Sequence, residues 1–292
     1  MRANWGGRLF DAGNIIFLTM TAFITCFPLY YVFVISFITP EQYFRGGLIL
    51  FPEQWTLESY RYLLSTSSFV KAAGISLFLS TAGTLCSLIV TSSFAYALSR
   101  RRMLGRKAVL ILVLLTTLFQ PGIIPEYLLV RDLGLINSLW SLIIPTLTSG
   151  WYIFLMKGFF DNVPAGLEEA AKIDGSSDIG VWIKIILPLS LPSIAAIGLF
   201  YAVSYWNTFF HAILYINDAK KYPLQVLLQN MLIDSSTAVG NEVAAELSQQ
   251  RLMPPEMLKM AAVVVATVPI LLIYPFLQKH FAKGVMLGSI KE

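Results

Sequence analysis

Charge is what this sequence has least of. Only 13% of its 292 residues are Asp, Glu, Lys or Arg, and 56% are hydrophobic, whereas a soluble domain carries about 25% charged residues. The balance excludes an ordinary soluble globule and points to a membrane protein. Cysteine is nearly missing. Cys26 and Cys86 are the whole supply, both inside apolar runs, which excludes a disulfide framework and leaves them as small buried side chains. There is no GxxxxGK[ST] loop to cradle nucleotide phosphates, so the chain is not expected to hydrolyse ATP. No Ser/His/Asp or Cys/His set and no carboxylate pair in a cleft offers catalysis, so it does not read as an enzyme. His211 and His280, the two histidines, fall at opposite membrane faces and make no metal spacing. Internal repeats and low-complexity tracts are absent too.

Long apolar runs are what the chain has instead. A bilayer-crossing helix needs about 20 mainly apolar residues, and six such runs stand out: Gly13–Phe37, Phe69–Leu98, Ala108–Val130, Leu139–Met156, Leu191–Tyr215 and Met260–Phe281. The first follows Arg2 and Arg8 but is too long for a signal core and lacks a small-x-small cleavage site, so it reads as an uncleaved helix. The predicted fold class is an all-α membrane protein of six transmembrane helices in one domain, 1–292.

Orientation follows from the Lys and Arg of the short loops. With the N-terminus inside, thirteen of these cations fall inside and eight outside. Arg100, Arg101, Arg102, Arg106 and Lys107, all in one loop, give the strongest vote. Both termini and the loop 157–190 are then cytoplasmic, and the loops 38–68 and 216–259 face outward. The first outer loop carries Tyr43, Phe44, Phe51, Trp55, Tyr60 and Tyr62, which suits an interfacial belt or a docking surface. The second is longer and more polar than a connection needs, which favours a functional segment.

The stretch Val163–Pro192 is the most informative polar insert. Pro164 suits the first position of a short helix, because its missing N–H would be unpaired there. Asp174-Gly175 ends that helix, Ser176 or Ser177 caps the next, and Leu187-Pro188 closes it. Leu167, Ala170 and Ala171 share a side of the first helix, where small residues admit a partner's backbone. Glu168 and Glu169 offer carboxylates to a basic residue of a partner; a solvated connector with a Glu168–Lys172 pair is the plainer reading.

Two membrane runs carry polar groups. Gln120-Pro121-Gly122 breaks the third, which suggests a cavity-facing segment; Glu126 follows, with a place at the interface beside Arg131 as the alternative. The fifth carries Tyr201, Ser204, Tyr205, Trp206, Asn207, Thr208, Phe209, Phe210 and His211. Polar groups in a bilayer face the protein interior or a wet path. Asn207 can donate to and accept from sugar hydroxyls, with aromatic faces beside it; interhelical packing accounts for it equally well. The substrate-path candidates are Gln120, Tyr205, Trp206, Asn207 and His211.

Glu169-Ala170-Ala171, three residues, Gly175, nine residues, Ile185, one residue, Leu187-Pro188 resembles the EAA signature of the membrane subunits of bacterial ABC importers. Ala95–Gly105, Pro125–Pro145, Phe154–Asp161 and Phe200–Phe210 are similar to the carbohydrate branch of that family, the permeases like the smaller maltose permease subunit. Leu258–Lys291 looks like its LplC-type subgroup, associated with oligosaccharides derived from polysaccharides, alginate among them. Many relatives have an Asn near the start of the second helix where this chain reads Lys71-Ala72-Ala73, so no role of that Asn carries over.

The resemblance implies a type I importer permease fold with a cytoplasmic coupling helix, in a multi-pass protein of the bacterial inner membrane. It implies that Glu168, Glu169, Ala170, Ala171, Asp174 and Gly175 couple transport to two ATPase subunits docking on the loop. ATP and Mg would belong to those partners, with no cofactor in this chain. A second homologous permease subunit, a periplasmic or extracellular solute-binding protein and membrane lipid complete the partners, and nucleic acid is not among them. The 216–259 loop would reach into the binding protein as a scoop. A self-contained secondary transporter or channel is the alternative, but it would want midplane carboxylates or an inverted repeat, and neither is seen.

Overall fold

The computed structural model describes residues 5–233 and 253–289, and its regular structure is helical. In chain order the helices are α1 (Trp5–Ser36), α2 (Pro40–Arg45), α3 (Glu58–Ser65), α4 (Ser67–Ser99), α5 (Arg106–Leu118), α6 (Ile123–Asp132), α7 (Gly150–Asp161), α8 (Ala165–Ile173), α9 (Asp178–Leu189), α10 (Leu191–Trp206), α11 (Phe210–Tyr215), α12 (Leu224–Ile233) and α13 (Pro255–Ser289). The short stretch Leu139–Thr146 precedes α7 at a bend.

Among the described residues, three helices are long and apolar enough to cross a membrane unbroken: Phe10–Ser36 of α1, all of α4, and Pro255–Pro275 of α13. Two other expected runs fall on helix pairs with sharp bends, 117° between α5 and α6 and 54° between Leu139–Thr146 and α7; the fifth begins with α10, which α9 of the loop 157–190 precedes across a third bend, of 85°. Counting each pair as one span gives up to six. Pro121 accounts for the first bend: its ring disfavours helix at Gln120, and it has no N–H to give. At the third, Pro192 occupies the first turn of α10, where no donor is needed.

Several boundaries differ from the sequence reading. Pro164 precedes the first residue of α8 and is extended, with φ −56° and ψ 128°. Leu187-Pro188 does not close α9, which runs to Leu189. A wide turn at Trp182–Ile186 just upstream relieves the clash between the proline ring and the preceding carbonyl. The fifth run breaks after Trp206 and resumes at Phe210. The sixth starts at Pro255 and continues through most of the polar tail. The loop 216–259 opens with a packed helix, since Leu224 and Val226 of α12 are buried; its residues 234–252 lie outside the described part.

The chain divides into two compact units, Met1–Val70 with Leu228–Val268, and Lys71–Leu227 with Pro269–Glu292. In the first, Val34, Ile35 and Ile38 pack with Met257. Gln42 holds the following loop by donating to the Phe51 carbonyl (3.2 Å) and accepting from Glu53 N–H (3.0 Å). Burial, and then the Glu256 carboxylate, raise the Tyr43 phenol above its usual pKa. Phe44, Phe51 and Trp55 stay exposed, whereas the Tyr60 ring packs at a tilt against Phe37, 4.9 Å between centroids, and its hydroxyl bonds Ser36 at 2.7 Å.

In the second unit, α4, α7 and α10 supply much of the buried core, including Leu79, Ala95, Met156, Phe160, Ile197 and Tyr201. Hydroxyls tie these helices together: Ser87 with Tyr205 (2.9 Å), and Thr91 with Tyr201 (2.7 Å) and Thr148 (2.8 Å). Each bond satisfies a polar group that burial would otherwise strand. α4 contains a wide turn at Leu79–Gly83. A side chain at Gly83 would put its Cβ 2.8 Å from the Tyr205 ring, so the absence of one lets α10 sit close.

Candidate functional site

α8 and its surroundings form the best-defined polar site. The helix ends in paired hydrogen bonds, Ser176 N–H to the Ala171 carbonyl (2.9 Å) and Gly175 N–H to the Lys172 carbonyl (3.0 Å). This arrangement satisfies the last carbonyls and turns the chain sharply. It needs a left-handed residue at the turn, and Gly175 has φ +81°. Ser177 then caps α9, its Oγ accepting from Gly180 N–H at 3.2 Å.

The faces of α8 are allocated differently from the sequence reading. Ala171 is 7% exposed and faces the protein core, so it does not share the exposed side with Ala170. The outward row is Gly166, Glu169, Ala170 and Ile173, spaced as one face of a helix. Ile173 is 87% exposed, and nearby in the sequence Ile179 is exposed too. Glu169 and Asp174 make no ion pair among the described residues, which leaves their carboxylates open.

Glu168 is committed within the chain. It pairs with Arg100, with Arg102 (3.2 Å) and with Lys172 (3.1 Å). Asp178 pairs with Arg102 and with Lys172 (3.3 Å). The Glu168–Lys172 pair read from the sequence is present, inside a larger network. Arg100, Arg102 and Asp178 were missed as site residues; the signal was three consecutive arginines with no acidic neighbour of their own.

The substrate-path candidates separate into two environments. Tyr205 is buried, its hydroxyl held by Ser87, and belongs to helix packing. Asn207 caps the C-terminus of α10: its backbone N–H and Nδ2 both donate to the Val203 carbonyl (3.0 and 2.9 Å), and Oδ1 accepts from Gln225 Nε2 at 3.3 Å. His211 Nε2 lies 3.6 Å from Glu126 Oε1, and its ring stacks on Tyr215 at 5.8 Å. Glu126 therefore lies beside His211, while Arg131 pairs with Asp132. Trp206 is half-buried at the end of α10. Gln120 is exposed in the α5–α6 bend and shares no hydrogen bond with this group among the described residues. The Glu126–His211 approach joins the first turns of α6, just past its bend from α5, to α11, just past its break from α10.

Residues 1–287 match the family of binding-protein-dependent transport system inner membrane components. The chain belongs to that family, the permease subunits of ABC importers, in which separate subunits hydrolyse ATP. It is a multi-pass protein of the inner membrane, and the alternative of a self-contained secondary transporter or channel falls away. It is 48% identical to the polygalacturonan/rhamnogalacturonan transport system permease protein YtcP of Bacillus subtilis, over 97% of this chain and 99% of that one. It is 45% identical to protein LplC of the same organism, over 98% and 96%. A chain in the crystal structure of a bacterial ABC transporter involved in import of the acidic polysaccharide alginate superposes with TM-score 0.86 at 30% identity, covering 95% of this chain and 98% of that one.

Proposed function

We propose that this chain forms half of the membrane pathway of an ATP-driven importer for oligosaccharides cut from acidic polysaccharides. A second, homologous permease subunit supplies the other half, and a solute-binding protein delivers the sugar from outside. α8 docks in an ATPase subunit on the cytoplasmic side, where both termini also lie. The observation that carries this reading is the outward row Gly166, Glu169, Ala170 and Ile173 on a helix fixed from behind by Glu168. Small residues admit a partner groove, Ile173 offers apolar area, and the open Glu169 carboxylate suits a basic residue. Likeness to YtcP, named for polygalacturonan and rhamnogalacturonan transport, and to a transporter involved in import of the acidic polysaccharide alginate supports the acidic class. Asn207, Trp206 and His211, joined now by Gln225 and Glu126, are the polar and aromatic groups of this chain's share of the path.

The test is reconstitution with the neighbouring gene products in vesicles. Binding protein loaded with oligogalacturonates or alginate oligosaccharides should stimulate ATP hydrolysis and uptake, and neutral maltooligosaccharides should not. Equal stimulation by neutral sugars would remove the acidic class, and failure of any ATPase subunit to co-purify would remove the coupling role. In the same vesicles Asn207→Leu should reduce uptake with assembly intact; unchanged uptake would return Asn207 to packing.

A further inference from the structure

Arg100 ties three helices, α4, α7 and α8, at once. It follows the last residue of α4, and its Nε donates to Ser99 Oγ at 3.0 Å. Its guanidinium carbon lies 4.9 Å from the Tyr96 ring centroid, on the same helix. One terminal nitrogen donates to the Phe160 carbonyl at the end of α7 (3.3 Å), and the other binds Glu168 on α8. Both side chains of the Arg100–Glu168 pair are 13% exposed. A planar guanidinium held on four sides cannot shift toward one partner without losing its fit to the others.

Resting on the reading of α8 as the docking helix, we propose that Arg100 is a positioning residue for transport, and that the Arg100–Glu168 pair carries displacement of α8 into α4. Covalently, α8 is joined only to α7 and α9, and 68 residues separate Arg100 from Glu168. The pair is thus a direct polar link from α8 to α4. Neighbouring residues on a helix point about 100° apart, which lets Glu169 face outward while Glu168 faces in. A push on the outer row is received behind it by a carboxylate bound to three cations, and the end of α4 follows. From there α4 runs unbroken for 33 residues, and the Ser87–Tyr205 and Thr91–Tyr201 bonds pass the movement to α10.

The experiment uses the whole transporter in vesicles and reads sugar transported per ATP hydrolysed. A photo-cross-linker on Ile173→Cys reports docking of the ATPase subunit. Arg100→Ala and Glu168→Gln should each lower the ratio at least fivefold while cross-linking stays within twofold. The double variant should be no worse than the worse single one, because both break the same link. Arg100→Lys should retain more than half the ratio; if Arg100→Ala fails to assemble, Arg100→Lys and Glu168→Gln carry the test. An unchanged ratio with normal cross-linking would overturn the proposal and leave the docking helix standing, as would single effects that multiply in the double variant. Absence of cross-linking with Arg100 and Glu168 both intact would overturn the docking reading, and this proposal with it.

Discussion

Gly175 shows how one residue sets the angle between α8 and α9. Its φ is +81°, and a Cβ built there meets nothing within 4 Å. Substitution is therefore opposed by backbone strain alone, since there is no neighbour to clash with. Left-handed backbone costs an L-residue about 1–2 kcal/mol, and Asn bears it better than most. Gly175→Asn should transport nearly as well as the wild type, Gly175→Ala less, and Gly175→Val least, with sugar uptake in vesicles as the measurement. Equal uptake by Asn and Val variants would mean that the turn does not orient α8. The sequence already marked this glycine, because a helix stop is a local signal. It revealed the Glu168–Lys172 pair, one turn apart, but not Arg100 and Arg102, because these lie far along the chain and periodicity reports only neighbours within a helix. Ala171 was misassigned for a related reason: small residues suit a core and a docking face equally, and only the fold decides.

At the level of elements, the apolar runs were legible and their bends only partly so. Pro121 and Pro192 lie at bends, yet Pro28, Pro269 and Pro275 pass inside α1 and α13, since membrane helices tolerate proline where surrounding groups re-satisfy the backbone. The wide turn of α4 had no such marker. Its sense appears only when Tyr205 is seen against Gly83. Gly83→Ala would push a methyl into that ring, and such overpacking costs about 1–3 kcal/mol. The variant should lower the thermal midpoint of the detergent-purified complex, and adding Tyr205→Leu should recover part of the loss. An unchanged midpoint for Gly83→Ala would show that α4 and α10 separate without cost.

For the whole molecule, the charge distribution predicts that the loop bearing Arg100–Lys107 and the segment bearing α8 face the cytoplasm. Cysteine placed at Ser176 should react only from inside and at Ser65 only from outside. Reaction of Ser176→Cys with an impermeant reagent from outside would reverse the assignment. One bond constrains this further. Arg100 donates to the Phe160 carbonyl, and no hydrogen bond reaches across a hydrocarbon layer about 30 Å thick. The chain between these two residues must therefore traverse the bilayer an even number of times, whatever the 117° and 54° bends do on the way. Sidedness of the two loops is thus a matter of parity. Arg100, Arg101, Arg102, Arg106, Lys107, Lys157, Lys172 and Lys184 cast a single joint vote on orientation, and one labelled position assigns all of them.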